Sequence, residues 1–210
     1  AKSAARIADV VVMVLGEDGF QTGEGRSRTE IDLPGVQQEL LEEVFKVNKN
    51  IVLVLMNGRP LNINWADQNI PSIIEAWQLG TQTGNAVAQV LYGDYNPSGK
   101  LPMTFPRSVG QIPIYYNYKN TGRPGPKNEV FWSHYSDEVN TPLYPFGYGL
   151  SYTTFEYSNI IIDNKILQKD SSINVSVELK NIGKLKGKEV VQLYVKDRYA
   201  SVTRPVRELK

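Results

Sequence analysis

Two uninterrupted apolar runs, Val10-Val11-Val12-Met13-Val14-Leu15 and Ile51-Val52-Leu53-Val54-Leu55-Met56, constrain this chain most. β-branched and aliphatic runs without polar alternation belong to strands buried on both faces, as in a parallel sheet. A helix is predicted between them. Pro34 suits its first turn, Val36, Leu40, Leu41, Val44 and Val47 recur at helical spacing, and Glu39, Glu42, Glu43 and Lys46 form the wet face. A third apolar run, Ile73-Ile74-Glu75-Ala76-Trp77, leads through Gly80 and Gly84 into a second helical pattern, Ala86-Val87 with Val90-Leu91, which Gly93 stops. The order strand, helix, strand, strand, helix predicts an α/β fold, a three-layer sandwich around a mostly parallel sheet.

After about Tyr152 the period changes to two. Ile173, Val175, Val177 and Leu179 alternate with Asn174, Ser176, Glu178 and Lys180, and Val191, Leu193 and Val195 repeat the pattern beyond Asn181-Ile182-Gly183. This is antiparallel sandwich material, yet only 54 residues run from Tyr157 to Lys210, where an immunoglobulin-like sandwich takes about 100. The expected organisation is therefore an α/β domain over 1–152 and a truncated antiparallel β-sandwich over 153–210. The first strand begins within ten residues of Ala1, so both ends are expected to be cuts in a longer parent protein. Unpaired strand edges in the truncated part invite pairing with another copy.

Composition narrows the chemistry. The 23 basic and 22 acidic residues are scattered and nearly balanced, with no basic stripe for phosphates, which argues against a nucleic-acid partner. No cysteine and a lone histidine, His134, argue against thiolate or histidine metal sites and against a Ser-His-Asp triad. No apolar run approaches the roughly 20 residues of a membrane helix. Carboxylates remain as the main chemistry, and one stands out: Thr22-Gly23-Glu24-Gly25-Arg26-Ser27-Arg28 puts a glycine-flanked acid in the loop that follows the first strand, a good place for a proton donor.

Two long phrases, Gly93-Asp94-Tyr95-Asn96-Pro97-Ser98-Gly99-Lys100-Leu101-Pro102-Met103-Thr104-Phe105-Pro106 and Tyr144-Pro145-Phe146-Gly147-Tyr148-Gly149-Leu150-Ser151-Tyr152-Thr153-Thr154-Phe155, resemble those of glycoside hydrolase family 3, the β-glucosidase and β-xylosidase family. Leu55-Met56-Asn57-Gly58-Arg59-Pro60 is similar too. In that family a catalytic barrel precedes an α/β sandwich domain and a fibronectin type III-like domain. The resemblance implies that this chain is the second domain with the start of the third, and that the barrel is its missing partner.

The resemblance also implies the chemistry: retaining hydrolysis of terminal β-linked glucosyl or related residues of an oligosaccharide, with no metal or organic cofactor. The family's nucleophilic aspartate lies on the barrel, and its acid/base is a glutamate in a Ser/Thr-Gly-Glu-Gly phrase followed by Asp-Arg. Glu24 matches the glutamate and Arg28 the arginine, while Ser27 stands where aspartate is common. The nucleophile phrase has no counterpart, so the isolated chain is expected to be inactive. A periplasmic or secreted bacterial enzyme is implied.

A retaining glycosidase needs two carboxyl groups roughly 5 to 5.5 Å apart, one ionised to attack and one protonated to release the leaving group. Arg26 and Arg28 would favour an ionised Glu24, so they are expected to turn elsewhere, toward Glu30 or Asp32. Glu17 is the nearest competitor, for which a loop or capping role is preferred; Asp94 is read as bracing a turn, and Arg59 and Lys100 as surface or salt-bridge residues. The aromatics around Trp132, Tyr135, Tyr144, Phe146, Tyr148 and Tyr152 are read as packing, with sugar stacking as the rival. The loop Thr121-Gly122-Arg123-Pro124-Gly125-Pro126 is expected to reach toward the barrel. A nucleotide-binding domain is disfavoured because no Gly-x-Gly-x-x-Gly or Walker phrase follows Leu15. A non-catalytic carbohydrate-binding or scaffolding module remains the alternative.

Overall fold

A computed structural model describes residues 1–123 and 130–210. The loop expected to reach toward a barrel runs into the stretch outside them. Two compact units are present, one of Ala1–Val87, Leu101–Tyr148 and Gln192–Lys210, the other of Ala88–Lys100 and Gly149–Val191.

The first unit opens with a short helix, α1 (Lys2–Ile7), followed by β1 (Val11–Gly16), α2 (Gln37–Phe45), β2 (Ile51–Met56), α3 (Asn64–Asn69) and β3 (Ser72–Glu75). The three strands form a parallel sheet in the order β1-β2-β3, with Gly16 opposite Met56 and Leu55 opposite Glu75. Parallel neighbours need a crossover, and α2 and α3 supply the two. Met13, Ile51, Leu53 and Leu55 alternate onto one face, where Leu41 and Val44 of α2, Ala66 of α3 and Ala5 of α1 complete a buried cluster with Leu61, Ile63 and Phe105. The fold is therefore α/β with a parallel sheet, as the order of apolar runs predicts.

Burial on both faces holds for β2, where Ile51, Leu53, Val54 and Leu55 are fully buried. It does not hold for β1. That strand is an edge of the sheet, and Val12 and Val14 remain 47% and 56% exposed. Both short helices, α1 and α3, went unread in the sequence: α3 is Asn-Trp-Ala-Asp-Gln-Asn and buries only Ala66, so it carries no apolar period. The second expected helix is α4 (Thr83–Leu91).

The family-like phrases are brace points. In the first unit Leu101 N–H donates to Tyr148 O and Gly147 N–H to Leu101 O, each at 2.8 Å, and Phe105 N–H donates to Tyr144 O at 2.8 Å. Tyr144 joins the core, its hydroxyl donating to Asp67, and Phe146 stacks on Tyr116 at 4.2 Å between centroids, so these aromatics pack. The same unit holds the two-residue pair β6 (Tyr194–Val195) and β7 (Glu208–Leu209). The predicted strand through Val191, Leu193 and Val195 is thus reduced to a short ladder, because its partner is only two residues long.

The second unit is built on an antiparallel pair, β4 (Phe155–Ile162) and β5 (Val175–Asn181), with a register break between Ser158 and Ile161 where Asn159 takes a left-handed φ of 51°. Asn96, from the first phrase, ties the unit together. Its Oδ1 accepts from Tyr152 N–H at 2.8 Å and from Ser151 Oγ at 2.9 Å, while its Nδ2 donates to Lys186 O at 3.1 Å. Lys100 donates to Gly149 O at 2.8 Å and pairs with Glu189 at 3.4 Å, the salt-bridge role expected of it.

Candidate functional site

Strands β1, β2 and β3 end side by side, and the loop after β1 lies on that edge. The carboxyl ends of parallel strands are where α/β sheets bind ligands. Gly16 makes the exit: its φ is 140° and a Cβ there would meet Met56 O at 2.0 Å, so only glycine fits. Gln37, at the start of α2, holds it from both sides, accepting from Gly16 N–H at 2.7 Å and donating to Gly16 O at 2.8 Å. Glu17 N–H then donates to Met56 O at 2.8 Å. Next, Asp18 folds the chain back, its Oδ1 accepting from Phe20 N–H at 2.8 Å and from Gln21 N–H at 3.1 Å, an Asx turn. Beside this base lies an open depression of about 500 Å³, lined by Gly16, Asp18, Gln21, Gly35 and Gln37 among others.

The Glu17 side chain turns inward and is fully buried. Its Oε1 accepts from Arg28 Nη1 at 2.8 Å and pairs with Arg59 Nε at 2.9 Å, the latter without hydrogen-bond geometry. Its Oε2 accepts from Gly58 N–H at 3.2 Å. A buried carboxylate requires opposite charge, and two guanidinium groups from separate loops provide it. The preferred loop role for Glu17 is thus an ion-pair anchor. The expected destination of the arginines is revised accordingly: Arg28 reaches Glu17, and meets Asp32 only through the Asp32 carbonyl, at 3.0 Å from Nη2. An interior carboxylate attracts it more than a solvated one does.

Arg59 does a second thing. Its Nη2 donates at 2.7 Å to both Gln21 O and Arg26 O, the two carbonyls that bracket the loop tip. Thr22 is buried against Gly58, where an added Cβ would stand 2.0 Å from Thr22 Oγ1. Beyond it the chain makes a tight turn closed by Arg26 N–H donating to Gly23 O at 3.1 Å, with Gly25 at φ 70° in the third position, which a type II turn reserves for glycine. Glu24 occupies the second position of that turn. It is exposed and makes no side-chain hydrogen bond or ion pair with the described residues.

The third strand end adds a residue that sequence reasoning missed. Glu75 closes β3, accepting from Trp77 N–H at 3.0 Å and, more weakly, from Asn57 Nδ2 at 3.3 Å. Burial pushes its carboxyl up to about 7 against those two donors, which favour the charged form. Asn57, at the end of β2, is fully buried, and its Nδ2 also donates to Arg59 O at 2.8 Å. Inside the apolar run Ile73-Ile74-Glu75-Ala76-Trp77, the acid itself was the available signal. The edge therefore holds one buried ion-paired carboxylate, one half-buried carboxyl pushed up to about 7 by its surroundings, and one exposed acid. Among the described residues no group of three or more His, Cys, Asp or Glu side chains is arranged to hold a metal ion.

The chain matches the Glycosyl hydrolase family 3 C-terminal domain over residues 1–152. It is 52% identical over 212 residues to a periplasmic beta-glucosidase of Salmonella typhimurium, covering 100% of this chain and 28% of that protein. It is 49% identical over 208 residues to a beta-xylosidase of Formosa agariphila, covering 99% of this chain and 28% of that one. Its structure superposes on the crystal structure of beta-glucosidase from Listeria innocua in complex with glucose with a TM-score of 0.95, at 45% identity, covering 100% of this chain and 29% of the other. The chain thus spans little more than a quarter of the length of the relatives it matches. By its match over most of its length, this chain belongs to glycosyl hydrolase family 3.

Proposed function

We propose that this chain is the acid/base-bearing portion of a retaining, exo-acting β-glucosidase, with Glu24 as the proton donor and acceptor. The nucleophile belongs to a barrel domain elsewhere in the longer protein, so the chain by itself does not hydrolyse glycosides. Substrates are oligosaccharides with a terminal β-linked glucosyl or related residue, and the enzyme works in the periplasm or outside the cell. The observation that carries this reading is the contrast between the tip and the base of one loop. Glu24 is exposed, unpartnered within the described residues, and flanked by glycines on a loop whose base is locked. A donor that meets its substrate across a domain junction needs such accessibility.

In the first step the protonated Glu24 gives its proton to the glycosidic oxygen as the nucleophile attacks the anomeric carbon; in the second, ionised Glu24 takes a proton from the water that releases the sugar. The test is Glu24→Gln in the full-length protein. Hydrolysis of an alkyl β-glucoside, whose leaving group needs protonation, falls about 10²- to 10⁴-fold. Release of an acidic phenol from an aryl β-glucoside falls far less in its first turnover. Unchanged hydrolysis of the alkyl glucoside removes Glu24 from the role and leaves the carbohydrate-binding or scaffolding reading.

A further inference from the structure

We propose that Arg59 is the positioning residue of the Glu24 loop, a guanidinium clamp that sets where the carboxyl group stands without touching substrate. The inference rests on the acid/base reading of Glu24 and goes beyond it, since Arg59 comes from a different loop 35 positions away in the numbering of the chain. One nitrogen, Nη2, binds both Gln21 O and Arg26 O at 2.7 Å. Those carbonyls close a six-residue segment, 21–26, with Glu24 inside it. The segment contains Gly23 at φ 128° and Gly25 at φ 70°, and two glycines give its backbone more freedom to lose than side-chain-bearing residues would. A proton donor must be held in near-attack geometry, and two flanking glycines work against that. Arg59 offsets the freedom by fixing both ends of the turn.

The clamp is itself fixed. Arg59 Nε sits 2.9 Å from the fully buried Glu17 carboxylate, which also binds Arg28 and Gly58 N–H. Its backbone carbonyl is held by Asn57 Nδ2 at 2.8 Å, and Asn57 is fully buried at the end of β2. The chain of contacts therefore runs from a central strand of the sheet, through Asn57 and Arg59, to the loop that carries Glu24. Lysine at this position keeps a positive charge, but its single nitrogen cannot stand both beside the Glu17 carboxylate, where Nε sits, and between the two carbonyls, where Nη2 sits.

The test uses the full-length protein with Arg59→Lys, and Arg59→Gln as a second variant should the first fail to accumulate. Three rates are compared with those of the unaltered protein and of Glu24→Gln: steady-state hydrolysis of methyl β-glucoside, the first-turnover burst of phenolate from dinitrophenyl β-glucoside, and the turnover of that aryl glucoside with added azide. Loss of positioning lowers kcat on methyl β-glucoside by up to about 100-fold and leaves KM and the burst nearly unchanged; steady-state turnover of the aryl glucoside falls as well, and azide, which attacks the glycosyl-enzyme without needing a base, restores that turnover. Amide hydrogen exchange across residues 22–26 speeds up in the same variant. An unchanged kcat together with unchanged exchange overturns the clamp. So does an equal loss in all three rates without azide rescue, which marks a purely structural role. Should Glu24→Gln leave methyl β-glucoside hydrolysis intact, the acid/base reading fails; exchange at 22–26 then judges the clamp by itself.

Discussion

Glu17 and Glu24 lie in one loop, seven positions apart in the chain, and their surroundings have nothing in common. At the base, the Glu17 side chain is fully buried, opposed by two guanidinium groups and a backbone N–H. At the tip, Glu24 is exposed between two glycines of positive φ. One carboxylate is spent on geometry so that another stays available. Local sequence separates the two only faintly, since both acids stand next to a glycine; what distinguishes them is which arginines the fold delivers.

The comparison breaks first at the base. Glu17→Gln leaves Arg28 and Arg59 without their shared counter-charge and destabilises the chain by about 3–5 kcal/mol, read as a lowered urea midpoint with an unchanged slope. The next effect is at Glu75, whose carboxyl is pushed up to about 7 by burial. Its folded pKa lies above the unfolded value of about 4.3, so the native state binds the extra proton between those two values. Stability therefore falls as pH rises from about 4.3 to 7, and is flat for this group above that. Glu75→Gln removes this slope and raises stability at pH 8 by up to about 3 kcal/mol, measured by unfolding across that range. Gly25→Ala, at φ 70° with nothing within 4 Å of the added Cβ, costs only the conformational strain, about 1 kcal/mol. Least affected is Glu24→Gln, which changes the unfolding free energy by no more than about 0.5 kcal/mol. A large stability loss there would erase the division between base and tip.

Strands β1 and β2 were legible because they are continuous apolar runs, and α2 because Leu41 and Val44 fall on one face and are both buried. The helix α3 was not, since six mostly polar residues with Ala66 as their one buried member show no period. Exposure of Val12 and Val14 was equally hidden: an edge strand and a central strand of the same sheet read alike in composition. At the candidate site, Glu24 was named through a family-like phrase, and the turn chemistry of Gly23 and Gly25 agrees with a projecting tip. The anchor could not be read. Glu17, Arg28 and Arg59 are far apart along the chain, and only the parallel pairing of β1 with β2 brings the loop after one against the loop after the other.

Asn57-Gly58 is the dipeptide in which deamidation runs fastest, because the glycine nitrogen meets no side chain as it attacks the asparagine amide carbon. Here that nitrogen is engaged by Glu17 Oε2 at 3.2 Å and the amide is sealed inside the fold with its Nδ2 on Arg59 O. Spontaneous ageing at this position is therefore governed by opening of the fold rather than by time in solution. Once Asn57 became aspartate, a second acid would stand beside Glu75, and the damaged copy would be less able to close again.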